Sequence, residues 1–77
     1  MKKKRYLITV KIYSGSIMYF LTENQIYNKV NYRGNDIRFG DGNIEVTKCD
    51  PTSFDFAKND PIKLMLLFKN VESIEQV

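Results

Sequence analysis

The segment Ile8–Leu21, ITVKIYSGSIMYFL, holds two apolar runs that meet at Ser14-Gly15, and neither alternates cleanly between apolar and polar residues. Glycine tolerates the positive φ of a tight turn, so the stretch predicts a two-residue hairpin centred on Ser14-Gly15. In that register Tyr13 opposes Ser16, Ile12 opposes Ile17, Val10 opposes Tyr19 and Ile8 opposes Leu21. One face is then wholly apolar: Ile8, Val10, Ile12, Ile17, Tyr19 and Leu21. The other sets Leu7, Thr9, Lys11 and Tyr13 against Met18, Phe20 and Thr22, unlike the polar outer face of a half-solvated antiparallel sheet. Either the C-terminal segment covers Leu7, Met18 and Phe20, or they form a binding or dimer surface, because a contiguous exposed patch of this kind is unusual without a partner.

A second hairpin is signalled in NDIRFGDGNIEVTK, where Asp41-Gly42 is a strong turn pair. It sets Phe39 opposite Ile44, Ile37 opposite Val46, and Arg38 opposite Glu45, with the apolar pairs on one face and the charge pair on the other. Between the hairpins, TENQIYNKVNYRGN reads two ways. Thr22 and Gln25 have capping-box spacing, and Ile26 and Val30 share a helical face. With period two, Ile26, Val30 and Tyr32 share one side of a strand, and the weak helix formers Asn28 and Asn31 make the strand the preferred reading.

Two Asp-Pro steps bound DPTSFDFAKNDP, which reads as a connection whose Phe54 and Phe56 anchor it over an open end of the sheet. The last segment, IKLMLLFKNVESIEQV, again divides. Residues 62–68 suit a buried strand, followed by a short returning strand over 71–77. Alternatively, Asp60 caps a helix with Pro61 at its first position, and Leu64, Leu67, Val71 and Ile74 form a stripe over about 61–76. Together these elements predict a mainly β fold: a strongly twisted antiparallel sheet, or an SH3- or Sm-like barrel of five or six short strands. An α+β fold with the C-terminal helix is the alternative.

The 77 residues are expected to form one domain, with residues 1–5 as a basic, frayed N-terminal tail. The opening MKKKRYLITVKIY imitates a signal peptide, but Lys11 interrupts the apolar run and no small-residue cleavage site follows. No segment holds the roughly eighteen apolar residues a membrane span requires. With Cys49 the single cysteine, a reducing, cytoplasmic setting is expected. Abundant Lys, Asn, Ile, Tyr and Phe reflect AT-rich codons, a composition associated with accessory proteins of bacteria and their phages.

The chain has no histidine, which removes the commonest general base and metal ligand and rules out Ser/His/Asp and Cys/His arrangements within it. Lys48 neighbours Cys49, but adjacent strand residues point to opposite faces and give no activation of the thiol. Asp50, Asp55 and Asp60 do not have the spacing of a calcium loop, and one cysteine cannot make a structural zinc site. No metal, no cofactor and no enzymatic activity are therefore expected.

What remains is contact. The net charge of +3 is concentrated before Ile12, in Lys2, Lys3, Lys4, Arg5 and Lys11, and the rest of the chain is neutral to slightly acidic. That distribution weakens a nucleic-acid reading. Its candidate residues are those five with Tyr13, Tyr27, Lys29, Tyr32 and Arg33, whose aromatics would stack on single-stranded bases. The acidic loop with Phe54, Phe56, Asp50 and Asp55, and the sheet residues Met18 and Phe20, instead suit a protein partner. The leading expectation is a non-enzymatic protein-interaction module, such as a phage or mobile-element factor that binds and modulates a host protein. A nucleic-acid-binding barrel and a self-associating structural protein, for instance a homodimer, are the alternatives.

Overall fold

The computed structural model describes residues 4–40 and 47–77. Strand β1 (Arg5–Ile12) turns into β2 (Gly15–Thr22), followed by α1 (Glu23–Lys29), β3 (Val30–Arg33), β4 (Asp36–Phe39), β5 (Thr47–Lys48), α2 (Pro51–Ala57), α3 (Pro61–Leu66) and β6 (Val71–Gln76). Among the described residues the strands form two open three-stranded sheets, ordered β2-β1-β6 and β3-β4-β5. The fold is therefore mixed α+β, and the expected mainly β barrel is wrong. Helices α1 and α3 occupy spans that the barrel needed as strands, and α2 forms within the expected connection.

The first hairpin forms with its register shifted by two residues. Val10 pairs with Ile17 and Ile8 with Tyr19, while Ile12 pairs with Gly15. Tyr13 and Ser14 make the turn, and Gly15 opens β2 at φ 144°, a backbone region closed to residues with a side chain. A shift of two leaves every residue on its expected face. Tyr6, Ile8 and Val10 are buried on the inner side of β1, and Met18 and Phe20 remain outside.

Helix α1 overturns the preferred strand reading of residues 23–29. The capping box forms: Gln25 N–H donates to Thr22 Oγ1 (3.4 Å) and Thr22 N–H to Gln25 Oε1 (2.9 Å). Ile26 is fully buried beneath the sheet. The chain then returns to extended geometry at Val30 and pairs as β3 with β4, Val30 opposite Phe39 and Tyr32 opposite Ile37. Gly34, at φ 59°, opens the two-residue turn between them.

On its other side β4 meets β5, with Arg38 opposite Lys48 and Phe39 opposite Thr47. Phe39 thus does not take Ile44 as its partner; the expected partners Ile44, Glu45 and Val46, and the Asp41-Gly42 turn, lie outside the described residues. Both Asp-Pro steps begin helices. Asp50 accepts from Thr52 N–H (3.0 Å) ahead of α2, and Asp60 accepts from Ile62 N–H (3.0 Å) and Lys63 N–H (3.3 Å) ahead of α3. Each proline takes the first helical position, where its missing N–H costs nothing.

The 62–68 strand is thus replaced by the six-residue α3, and the alternative 61–76 helix ends at Leu66. Val71 and Ile74 lie in β6, which pairs with β1. The core sits between the two sheets and the helices, with Ile8, Val10, Ile26, Ile37, Phe39, Leu64, Met65 and Phe68 almost fully excluded from water.

A part-buried polar contact ties β1 to α1. Tyr6 donates its hydroxyl proton to Glu23 Oε1 (3.2 Å). Burial first, then this bond and the neighbouring carboxylates, raises the Tyr6 hydroxyl above its ordinary 10.0. Burial, Glu23 and Asp60 raise Tyr27 likewise, and burial, then Asp50, raises the Cys49 thiol above 9.0. In each case the folded chain holds its proton longer than the unfolded one. That stability is complete below the unfolded value and is lost as pH rises through the folded value. Urea midpoints should therefore begin to fall above pH 9.0, where the unfolded thiol ionises, and steepen above 10.0 as the tyrosines join it. Tyr6→Phe should flatten the alkaline limb; an equally steep decline in that variant would show that Tyr6 does not carry it.

Candidate interaction surface

The outward face of the first sheet follows from strand alternation. On β1 it carries Leu7, Thr9 and Lys11, opposed on β2 by Phe20, Met18 and Ser16, and on β6 by Glu75 and Ser73 at the first two positions. Met18 is 69% exposed and Phe20 55%, while Leu7 is half-buried between its neighbours. The sequence leaves the C-terminal segment as one cover for these residues. It joins the sheet beside β1 and leaves the face open.

Cations border the apolar residues. The Arg5 guanidinium lies over the Phe20 ring, 5.7 Å from its centroid, and Lys11 is exposed at the far end of β1. Tyr13 stands fully exposed in the turn beyond it. Lys4 is exposed just before the strand, and Lys2 and Lys3 lie outside the described residues. Arg5 itself is held in the sheet, where its carbonyl accepts from Val77 N–H (2.9 Å).

Because Met18 and Phe20 contribute little burial, the double replacement Met18→Thr/Phe20→Thr should shift stability by about 1 kcal/mol or less, including the exposed cation–π contact of Arg5. Thermal denaturation checks this. A loss of several kcal/mol would mark the pair as structural and remove this face from consideration.

The remaining candidates are dispersed. Phe54 is half-buried and stacks on Tyr32 (centroids 5.6 Å apart, planes at 17°), while Phe56 is 91% exposed on α2. Asp50 is spent on the α2 cap, which holds its carboxyl below the usual range, and Asp55 lies 3.9 Å from Lys58. Tyr27 is half-buried with Glu23 and Asp60 near its hydroxyl, and Lys29 lies over the Tyr19 ring at 5.7 Å, so both serve contacts inside the fold. Tyr32 and Arg33 belong to the second sheet. The basic and aromatic residues of the nucleic-acid reading therefore divide between two sheets and a helix.

Two features escaped the sequence reading. The outer side of the second sheet gathers Arg33, Arg38 and Lys48 around Asp36, with Arg38 Nε 2.9 Å and Lys48 Nζ 3.9 Å from its carboxylate. Hydrogen bonding from Arg38 holds the Asp36 carboxyl low. The alternation in Asp36-Ile37-Arg38-Phe39 is its sequence signal. The second feature is the outer edge of β2, which pairs with no further strand among the described residues and emerges only once the strand order is known.

Cys49 is buried with its thiol raised, the opposite of the environment that makes a cysteine nucleophilic. Among the described residues no group of three or more Cys, Asp or Glu side chains converges to hold a metal ion. No helix among them is long and apolar enough to cross a membrane. No protein-family model, curated protein or solved structure matches the chain.

Proposed function

We propose that the protein is a non-enzymatic interaction module of the cytoplasm that docks an apolar, acid-flanked segment of another protein on the outward face of β1 and β2. One observation carries this reading: Met18 and Phe20 stay exposed on a regular sheet face because β6 extends the sheet instead of folding over it. A sheet face with an aromatic and a thioether exposed along its β2 side supplies apolar area for the water-excluding part of an interface. Arg5 and Lys11 at its margins supply charge complementarity to a partner bearing Asp or Glu. A raised, buried thiol and the lack of histidine support the non-catalytic part of the reading.

The test is selection of random peptides on the immobilised protein, run in parallel on Met18→Thr/Phe20→Thr. Peptides enriched on the parent alone, combining large apolar residues with Asp or Glu, are the expected result. Equal enrichment on both proteins would sink the proposal. A labelled single-stranded oligonucleotide forms the second arm: low-salt binding that disappears in the double variant would replace the protein partner with nucleic acid.

A further inference from the structure

We infer that two copies of this chain pair through β2, antiparallel about a twofold axis, joining their first sheets into one continuous sheet. The two edges of that sheet are built differently. The β6 edge, VESIEQ, carries Glu72 and Glu75 and a bulge, since Thr9 and Val10 pair with Ser73 and Val71 and leave Glu72 as the extra residue. Charge and bulges are how proteins keep edge strands from pairing with other chains. The β2 edge, GSIMYFLT, has neither: it holds no charged residue and no proline, and its ladder to β1 is unbroken. Among the described residues no further strand pairs with this edge, and a fold that guards one edge while leaving the other open to pairing has a use for the open one.

The main-chain directions are fixed by neighbouring bonds. Lys11 N–H donates to Asn70 O (2.7 Å), and Val77 N–H donates to Arg5 O (2.9 Å), so odd-numbered residues of β1 face β6. Even-numbered ones face β2, where they meet Gly15, Ile17, Tyr19 and Leu21. The N–H and C=O groups of Ser16, Met18 and Phe20 consequently point off the edge. The residues with the exposed side chains are those with the outward main chain.

Self-complementarity identifies the occupant. With Tyr19 on the axis, Met18 lies opposite the second copy's Phe20, Ile17 opposite its Leu21, and Ser16 opposite its Thr22. Every pair matches apolar with apolar or hydroxyl with hydroxyl, and no like charges meet. Met18 and Phe20 pair through both N–H···O bonds, twice by symmetry. A twofold contact of this kind closes on itself, and the outer edges of the joined sheet are the two guarded β6 strands. The inference stands apart from the docked partner, because it uses the edge of the sheet and needs no other protein.

Charge exchange on the purified chain tests it. Sedimentation equilibrium of the parent should show a monomer–dimer equilibrium. Met18→Lys/Phe20→Lys sets lysine opposite lysine and should weaken association by on the order of tenfold or more. Met18→Lys/Phe20→Glu sets lysine opposite glutamate and should recover most of the loss, although it is no more apolar. Circular dichroism establishes that both variants are folded. In a mixture of isotope-labelled and unlabelled parent, filtered nuclear Overhauser contacts should connect Met18 with Phe20 between chains. A monomeric parent at every concentration, equal association of the two variants, or intermolecular contacts confined to other residues would overturn the inference. Neither variant retains the apolar platform, so loss of peptide binding with recovered dimerisation separates this inference from the docking proposal.

Discussion

Replacing Phe39 with alanine is expected to remove about 3–5 kcal/mol, a large share of the stability a domain of this size holds. Phe39 is fully buried on the inner side of β4, where the two sheets and the helical layer converge. Its ring meets Tyr19 of the first sheet edge-on at 5.3 Å and Phe68 beyond α3 at 5.9 Å. It is therefore a principal side chain through which the second sheet packs on the rest, beside the buried Ile37. Truncation forfeits the transfer energy of the ring and leaves a cavity, which the short strands on either side cannot easily close. A stability of about 0.05–0.15 kcal/mol per residue leaves little in reserve. Urea denaturation followed by circular dichroism should show the midpoint collapsing and Tm falling by more than ~12 °C. A loss below about 1 kcal/mol would mean that the sheets do not depend on this contact.

The faces of the first hairpin were legible in the sequence, and its register was not. Side chains alternate with period two, so a two-residue slip moves pairs along the ribbon without moving any side chain to the other face. Ser14-Gly15 is good turn chemistry, yet Gly15 is used just after the turn, at φ 144°, and Tyr13 takes the looped position. The helices were obscured by their brevity. Seven-, seven- and six-residue helices complete about two turns, too few for a stripe to stand out from a strand pattern. Their caps were legible all the same. Thr22 with Gln25 has the spacing of a capping box, against which the weak formers Asn28 and Asn31 weigh, and Asp60-Pro61 has the form of a helix start. Asp50-Pro51 has the same form and marks a boundary with a helix on its far side.

The candidate surface was legible as a question and answered only by topology. That Met18 and Phe20 share a face with Leu7 follows from alternation, whereas whether the C-terminal segment lies over or beside them depends on a pairing between β1 and β6 across most of the chain. Composition does not encode that pairing. The same topology makes β2 an edge strand, which gives its lack of charge a meaning it does not have when read as one run of residues among others.

Replacing Ile26 with alanine should destabilise the protein by about 2–5 kcal/mol even though it makes α1 a better helix. Alanine exceeds isoleucine in helix propensity by no more than ~0.7 kcal/mol, and a seven-residue helix is unstable alone whatever its composition. What holds α1 in place is its one fully buried side chain, Ile26, beneath the sheet, with the capping box fixing where the first turn begins. Burial therefore outweighs propensity by severalfold. The exposed Asn28 on the same helix supplies the opposite test, because it has no burial to lose. Asn28→Ala should stabilise by up to ~0.7 kcal/mol through propensity alone. Urea midpoints of the two variants should move in opposite directions, with the Ile26 shift several times the larger. Should Ile26→Ala prove neutral, α1 would owe its place to the caps and to local sequence, and the hydrophobic account of the helical layer would fail with it.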